Sequence, residues 1–388
     1  MSRHGSHSAR AVRRRASRRR AHLVHVASVA LSFTLLLTLT VGTAAAVAYR
    51  KYNGQISRVS VLATKDPNIR SAKRQQNAAN FLVVGSDTRA GADARFGNVS
   101  GARSDTTMLV HLSPDRSKAT VISFPRDSWV DIPTCTSADG TVVPEHPGMF
   151  NSAFSTGGPK CTIAMVQKLT GIAVTHFVEI DFSGFESMVT AMGRVTICSP
   201  RTVFDPYSGL RLHQGDNRLT GSQALAYVRA RETLGDGSDL GRIKRQQLFL
   251  GAVMRQATSG AMFANPQRLT RFLDAATKAI TVDKGTSFAD LRTLTSSMQG
   301  LDPRRVVFYT APIADPNYTP PGTTLSGRVL LDAAKGRILY DSVISDTRPV
   351  WVTATGKPTK VTSSSTAATP TRAAPPGSTT AAQASCSL

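Results

Sequence analysis

The residues best suited to chemistry are arginines, aspartates and one glutamine that form two groups along the chain. The first group is Asp87, Arg103, Asp105 and Arg126, and the second is Arg229, Arg231, Asp239, Arg242 and Gln246. The planar guanidinium group of arginine binds two phosphate oxygens at once, which suits a diphosphate. Aspartates beside phosphate are typical ligands of Mg²⁺, which bridges them to the phosphate oxygens. Together the groups predict phosphoryl transfer to a hydroxyl, catalysed by positioning and charge stabilisation.

A counter-charge is needed if the five arginines of the two groups are to meet in one pocket. Two like charges about 6–7 Å apart repel by roughly 2–3 kcal/mol at an effective dielectric constant of about 20. The aspartates offset part of this repulsion, and a bound pyrophosphate would offset the rest. The alternative is that all of these are surface ion pairs and turn residues. That interpretation is the better one for four neighbours taken singly: Arg89, Asp127, Asp236 and Lys244.

Three short apolar runs, residues 81–84, 107–112 and 119–124, must position the first group. Residues 113–118 form a tight-turn sequence between the second and third runs, which predicts an antiparallel hairpin. The start of the second strand and the end of the third then share one edge of the sheet. If the first strand runs antiparallel to the second, its end lies there too. The whole first group would then converge at that edge.

A helix beginning at Asp239 must position much of the second group. Asp239 can cap this helix, and Arg242 and Gln246 then lie on one face. A helix N-terminus beside an arginine suits an anionic phosphate. Arg229 and Arg231 point the same way if the chain there is extended.

Strand-like and helical patterns alternate through the rest of residues 79–352. Helices are predicted over residues 161–170, 182–192, 266–280, 287–298 and 327–344, with a further one opened by a capping box of Thr220 and Gln223. Strands are predicted over residues 176–180, 195–198 and 305–310. The pattern predicts an α/β fold, a single domain with a mixed central β-sheet flanked by α-helices.

The N-terminus predicts a membrane anchor. Residues 1–22 carry eight arginines and no acid, and residues 26–48 carry no charge. As a helix this uncharged stretch would be roughly 35 Å long, against about 30 Å for a hydrocarbon core. The positive-inside rule then places residues 1–22 in the cytoplasm, a transmembrane helix over 23–49 and the remainder outside. The alternative is a cleaved signal peptide, since residues 44–46 offer an A-x-A site; either way the domain is exported.

The flanking segments and the cysteines complete the predicted organisation. Residues 50–78 are predicted as a stalk, and residues 353–388, rich in Thr, Ser, Ala and Pro, as a disordered tail. Cys135 and Cys161 could form a disulfide that closes a loop, worth roughly 3–4 kcal/mol. Cys198 is predicted to be a buried thiol and Cys386 lies in the tail. The cysteine and histidine spacing does not suggest zinc.

The motifs around these residues resemble those of the LytR-CpsA-Psr family of bacterial cell-wall ligases, of an actinobacterial type. The matching segments are residues 80–87, 103–106, 124–127, 150–154, 182–185, 224–231 and 235–242. Many family members carry lysine two residues before the asparagine that matches Asn151, whereas this chain has Met149. One expected cation near the head group is therefore missing.

The resemblance implies an enzyme that moves a glycopolymer from undecaprenyl pyrophosphate onto a peptidoglycan sugar hydroxyl through a phosphodiester. It implies that the five arginines hold the pyrophosphate, that Asp87 and Asp105 bind Mg²⁺, and that Asp239 and Gln246 orient the head group. Arg89 is added to the predicted substrate-binding set, as are Phe182 and Phe185, candidates for the wall of a polyprenyl channel. Asp87, Asp105 and Asp239 are all eligible as general base. A polyprenyl-pyrophosphate phosphatase side activity is also expected.

Two other functional classes remain open at this stage. One is a membrane-anchored transcriptional regulator, which would use the net charge of +22 to bind nucleic acid. No nucleic acid is expected, because the motifs follow the predicted span and lie outside the cell. The other is a non-catalytic protein that binds a polyprenyl phosphate or a wall polymer. The donor remains open among teichoic acid, arabinogalactan and capsular glycan.

Overall fold

A computed structural model describes residues 6–62, 66–86, 104–137, 139–230, 239–258, 265–299, 301–350 and 378–380. The chain divides into two compact units, residues 1–54 and residues 55–388. Helix α1 (Ser6–Gln55) makes up the described part of the first unit. Its segment Ser28–Gln55 is long and apolar enough to cross a membrane.

The second unit contains the remaining helices and all the strands that the structure describes. The helices are α2 (Ser152–Thr170), α3 (Phe182–Met192), α4 (Gly221–Arg229), α5 (Asp239–Thr258), α6 (Pro266–Ala279), α7 (Phe288–Gln299) and α8 (Ala333–Ile344), with short 3-10 turns at Ala72–Gln75 and Pro303–Arg305. The strands are β1 (Ser57–Val59), β2 (Ala79–Ser86), β3 (Ser104–Leu112), β4 (Ala119–Phe124), β5 (Trp129–Ile132), β6 (Cys135–Thr136), β7 (Val142–Val143), β8 (His146–Met149), β9 (His176–Asp181), β10 (Val195–Ser199), β11 (Val203–Asp205), β12 (Leu210–Leu212), β13 (Gly215–Leu219), β14 (Ile280–Asp283), β15 (Val306–Thr310), β16 (Ile313–Tyr318), β17 (Arg328–Leu331) and β18 (Ser378–Thr380).

Eight strands form one mixed sheet in the order β1-β14-β9-β2-β3-β4-β15-β18. Strand β3 runs antiparallel to both β2 and β4, with Gly85 opposite Thr106 and Thr107 opposite Phe124. The β3–β4 turn is closed by Asp115, whose carboxylate accepts hydrogen bonds from the Ser113 hydroxyl at 2.6 Å and from the Ser117 N–H at 3.0 Å. The predicted hairpin and its shared edge are therefore confirmed.

Because side chains alternate across a strand, each face of the sheet carries its own core. One face packs Leu82, Leu109 and Ile122 against α2 and α8. The other packs Phe81, Met108 and Val121 against α5 and α7. A third cluster joins α3, α4 and α5 to the small ribbons β10–β13 and β11–β12. The predicted mixed sheet between helical layers is confirmed.

Helix boundaries follow local signals where those signals are strong. The capping box at Thr220 and Gln223 opens α4 as expected. Gly171 ends α2 with a positive φ of 71°, which glycine adopts without steric cost. The helix predicted over 327–344 is wrong in its first part, because residues Arg328–Leu331 pair with β16 and the helix begins only after the Asp332 cap.

Three further predictions differ from the structure. Residues 57–59, predicted as stalk, pair with β14, and Gln75 is buried against Gly171. Residues 378–380, predicted as part of a disordered tail, pair with β15 at the sheet edge. Cys198 is disulfide-bonded, so the prediction of a buried thiol is wrong, whereas the Cys135–Cys161 disulfide is confirmed with a Cα–Cα distance of 5.5 Å.

Candidate active site

Arg126 and Asp105 meet at the edge where β4 ends and β3 begins. The Arg126 Nη1 donates to Asp105 Oδ1 at 2.6 Å. The backbone of Arg126 is fixed from both sides, since its N–H donates to Asp239 Oδ2 at 3.1 Å and its carbonyl accepts from the Asn151 N–H at 3.0 Å. The strand hairpin, helix α5 and the start of α2 therefore position this one arginine together.

Helix α5 brings the second charged pair to the same place. Asp239 is its first residue, and the carboxylate contacts Arg242 one turn later. The Arg242 side chain is buried, with only 4% of the residue's surface exposed, and its Nη2 lies 3.5 Å from the backbone oxygen of Asp105. The Arg126 Nε lies 3.7 Å from Asp239 Oδ1 and 3.5 Å from Asp127 Oδ2. Two guanidinium groups and three carboxylates thus share one small volume.

Gln246 lies one further turn along α5 and joins the helix to two neighbouring elements. Its Nε2 donates to Thr106 Oγ1 at 2.8 Å and approaches the Val228 carbonyl at 3.4 Å. The adjacent Arg245, which is also buried, donates to the Ala230 carbonyl. The end of α4, where Arg229 lies, is therefore fixed against α5.

The aromatic residues of α3 lie in two different environments. The Arg229 guanidinium stacks over the Phe182 ring, with its Cζ 4.5 Å from the ring centroid. Phe185 packs instead on Phe249 of α5, with ring centroids 5.5 Å apart, within the third hydrophobic cluster. Of the two, Phe182 is the residue that touches a predicted site arginine.

Burial and neighbouring charges shift the pKa values of the site residues in opposite directions. Burial raises the pKa of the Asp239 carboxyl, and the charge of Arg242 opposes that shift. Burial works to lower the pKa of Arg126, but the carboxylates of Asp105 and Asp127 more than reverse it, so the net shift is upward. Arginine stays protonated throughout the physiological range. The pKa of the Asp239 carboxyl is therefore above its usual value, and this residue binds a proton more readily than an exposed aspartate.

Several polar atoms at the site have no hydrogen-bond partner among the described residues. The Nε atoms of Arg126 and Arg242 are both buried and make no hydrogen bond there. Asp105 uses only Oδ1 in its bond to Arg126. Buried donors are normally paired, and an unpaired donor costs about 1–3 kcal/mol. Guanidinium groups with spare donors favour an anion with several oxygens.

The donor set also bears on a divalent cation. The oxygen atoms of Asp105, Asp127 and Asp239 are the ligands that Mg²⁺ prefers. Within the segments that the structure describes, no three metal-ligating side chains converge on one point. Mg²⁺ is commonly bound by one or two carboxylates together with substrate phosphate oxygens, and any of these three aspartates could supply such a carboxylate.

The structure thus brings together Asp105, Arg126, Asp239 and Arg242, with Gln246 and Arg229 beside them. Four predicted site residues, Asp87, Arg89, Arg103 and Arg231, lie outside the described residues. Sequence reasoning missed Asp127, Arg245 and Thr106, although Asp127 lies in the same motif as Arg126. Individual roles for all of these residues stay predictions.

Comparison with known proteins gives matches across most of the chain. Residues 38–336 match the model of the LytR_cpsA_psr family. The chain is 34% identical over 245 residues to LcpB of Corynebacterium glutamicum, named a probable cell wall biosynthesis protein, covering 61% of this chain and 54% of LcpB. It is 28% identical over 260 residues to TagT of Bacillus subtilis, a polyisoprenyl-teichoic acid–peptidoglycan teichoic acid transferase, covering 64% of this chain and 75% of TagT.

Among solved structures, the LytR-Csp2A-Psr enzyme from Actinomyces oris superposes with a TM-score of 0.54. Its sequence identity is 23%, and the alignment covers 74% of this chain and 95% of that one. At this identity the likeness shows the fold alone. The chain spans little more than half the length of LcpB, so shared activity does not follow from that match.

Proposed function

The chain belongs to the LytR_cpsA_psr family, and on that premise we propose that it is a phosphotransferase of cell-wall biogenesis. Its donor is a glycopolymer linked to a polyprenyl pyrophosphate, and its acceptor is a peptidoglycan sugar hydroxyl. The observation that carries the proposal is the pair of guanidinium groups of Arg126 and Arg242, whose Nε atoms are buried and make no hydrogen bond within the described residues. A pyrophosphate supplies oxygens that can accept hydrogen bonds from these donors.

The proposed reaction breaks the phosphoanhydride bond of the pyrophosphate and forms a phosphodiester. The acceptor hydroxyl oxygen attacks the phosphorus next to the glycan, and the bond from that phosphorus to the bridging oxygen breaks. Polyprenyl monophosphate leaves, and the hydroxyl proton passes to a base. The same reaction with water as acceptor gives the expected phosphatase side activity.

Each described residue has a proposed task in this reaction. Arg126 and Arg242 bind the pyrophosphate oxygens and stabilise the charge that develops on them. Asp239 is held by Arg242 and by the Arg126 N–H, and its raised pKa suits it to accept the hydroxyl proton. Asp105, with Asp87, would hold Mg²⁺, which neutralises phosphate charge when bound. Arg229 and Phe182 would flank the start of the polyprenyl tail.

The proposed location is the outer face of the plasma membrane. Ser28–Gln55 would be the single membrane span, with the arginine-rich segment before it in the cytoplasm. Residues 55–350 would then face the wall, where both the lipid-linked donor and the peptidoglycan acceptor are found.

The test is reconstitution of transfer with the full chain in detergent micelles. We expect labelled glycan from a polyprenyl-pyrophosphate donor to become bound to isolated sacculi, and chelation of Mg²⁺ to stop this. Arg242→Ala should abolish transfer, while Arg292→Ala, an exposed arginine on α7, should not change it. Tight donor binding without turnover would instead identify a non-catalytic binding protein and reject the proposal.

A further inference from the structure

The ribbon of β11 and β12 displays an unusual outer face. Val203, Leu210 and Leu212 are buried in the third hydrophobic cluster. On the opposite face Phe204 stands directly across from Arg211. The Phe204 side chain is 51% exposed, and Tyr207 at the turn is 80% exposed. In the described part of residues 55–350 these are the two exposed aromatic side chains.

The turn that carries Tyr207 is held in a fixed shape from below. Asp205 is buried, and its carboxylate accepts hydrogen bonds from the Ser208 hydroxyl at 2.6 Å and from the Tyr207 N–H at 3.3 Å. Gly209 closes the turn with a φ of 69°, a conformation that favours glycine. Because the turn is already ordered, binding through the Tyr207 ring would lose little backbone conformational entropy.

The face is also positively charged. The Arg211 guanidinium lies over the Phe204 ring, with its Cζ 4.4 Å from the ring centroid. Two more exposed arginines, Arg194 and Arg218, belong to the β10–β13 ribbon, which shares the third hydrophobic cluster. Among the described residues, neither they nor Arg211 forms an ion pair. The stacking holds the planar guanidinium against the Phe204 ring.

We propose that the outer face of this ribbon, formed by Phe204, Tyr207 and Arg211, binds an anionic glycan strand of the wall, the acceptor polymer of the proposed reaction. A sugar ring has a flat face of C–H groups that packs on an aromatic ring, and a rim of hydroxyls that accept from arginine. The carboxylates and phosphates of wall polymers complement these arginines. The inference rests on the proposed function, because it names where the acceptor is held.

Helix α4 connects the ribbon to the neighbourhood of the candidate site. Helix α4 packs against β12 and ends at Arg229. Its nine residues span about 13 Å. A polymer that extends past this helix contacts the ribbon with one segment while presenting a hydroxyl of another near Arg126. Binding at the ribbon therefore raises the local concentration of acceptor at the site.

A lipid surface fits this face less well. Interfacial binding depends on a broad apolar face that enters the bilayer. Here the two rings have no exposed large aliphatic neighbour within residues 194–219, and one face of the Phe204 ring is covered by Arg211. The exposed apolar patch is small and flat, as expected for stacking on a sugar.

The experiment is cosedimentation of the full chain, in detergent micelles, with purified sacculi. Phe204→Ala combined with Tyr207→Ala should weaken sacculus binding by at least about tenfold, and Arg211→Gln should weaken it in a salt-dependent way. Arg292→Ala is the matched control for loss of one exposed arginine and should bind normally. The melting temperature of each variant establishes that the fold is kept, since Tyr207 and Phe204 lie outside the core.

Kinetics distinguish this surface from the catalytic site. In the ribbon variants we expect the KM for sacculi to rise, with donor hydrolysis in the absence of acceptor unchanged. Unchanged sacculus binding, or a loss seen only with phosphatidylglycerol vesicles, would overturn the inference while leaving the proposed transfer reaction intact. If the wild-type chain binds sacculi through the ribbon but transfers nothing, the proposed function fails and the glycan-binding surface stands.

Discussion

Two polar centres lie at opposite ends of the same sheet. They differ in how far their buried polar atoms form hydrogen bonds within the protein. At one end, the buried Asp283 carboxylate accepts from the Phe177 N–H at 3.0 Å, the Gly285 N–H at 2.8 Å and the Thr286 hydroxyl at 2.5 Å. His176 completes this centre through its Nδ1, 2.8 Å from the Thr286 hydroxyl. At the other end, the buried Nε atoms of Arg126 and Arg242 make no hydrogen bond within the described residues.

The difference shows how burial alone misleads about function. Both centres are charged, contain buried polar atoms and lie where strands of the sheet begin or end. The Asp283 centre satisfies its acceptor with the protein's own donors, which is what a structural carboxylate requires. The Arg126 centre contains buried donors that make no hydrogen bond within the described residues, which is costly unless a ligand accepts from them. We therefore expect substitutions at the first centre to lower stability, and substitutions at the second to lower activity.

The largest expected effect is that of Arg126→Ala on transfer. The side chain bonds Asp105 and lies beside Asp239, so its loss removes charge stabilisation where the phosphoryl group would react. We expect kcat to fall by about 10³-fold, with the melting temperature changed far less. Single-turnover assays with a polyprenyl-pyrophosphate donor measure this. If the variant is unstable but retains its activity per folded molecule, Arg126 is a structural residue. The proposed difference between the Arg126 and Asp283 centres would then be wrong.

Asp283→Ala should produce the converse result. Its removal leaves three buried donors without an acceptor, and we expect the free energy of unfolding to fall by about 3 kcal/mol. Urea denaturation measures this loss, with Asp302→Ala as the control, since Asp302 pairs with an exposed arginine. Activity per folded molecule should be unchanged. A fall in kcat without loss of stability would assign chemistry to this end as well.

Much of the sheet edge could be predicted from sequence because its signals are local. The turn residues 113–118 and the apolar runs on either side define the β3–β4 hairpin, and the hairpin alone brings Asp105 to Arg126. The capping box of α4 and the helix that starts at Asp239 are equally local. The motif resemblance, now supported by the family match over residues 38–336, added the expected chemistry.

The features that could not be predicted depend on long-range pairing. Residues 57–59 resemble a polar stalk because a three-residue strand has no periodicity of its own and forms only by pairing with β14. The strand at residues 378–380 is short in the same way and depends on β15. In the sequence Asp127 has the pattern of a turn residue, and only the fold places its carboxylate 3.5 Å from the Arg126 Nε.

Asp239→Asn sharpens the comparison through its dependence on pH. Burial raises the Asp239 pKa, so between 3.8 and the raised value the folded state binds more protons than the unfolded state. The contribution of Asp239 to the free energy of unfolding therefore falls as pH rises through that window. If Asp239 is the base, kcat rises with pH through the same window. The substitution should remove both trends and lower kcat by about 10²-fold.

Two measurements on that variant check the assignment. The pH–rate profile should lose its acidic limb, and the stability difference between wild type and variant should change with pH in the stated direction. Arg292→Ala provides the baseline for both curves. A persistent acidic limb in the variant would transfer the role of base to another carboxylate.

The smallest expected effect comes from His176, at the satisfied end. The pKa of His176 is lowered overall, and burial is the main cause. The charges of Asp283 and Asp290 oppose this shift, and the charge of Arg116 adds to it. The unfolded state then binds more protons than the folded state just below 6.5, so stability is lost as pH falls through that value. This is the opposite sign to Asp239. The Thr286 hydroxyl donates to Asp283 and so accepts from the His176 Nδ1–H, which selects the Nδ1–H tautomer of the neutral ring.

The measurement is urea denaturation of wild type and His176→Gln at pH 5 and pH 7.5. We expect the wild type to lose more stability on acidification than the variant, with no difference in kcat per folded molecule at either pH. His146→Gln, a surface histidine whose Nδ1 lies 2.9 Å from the Pro144 carbonyl, controls for the general effect of removing an imidazole. If His176→Gln altered kcat and left the stability curve unchanged, the two ends of the sheet would have to be treated as one functional unit.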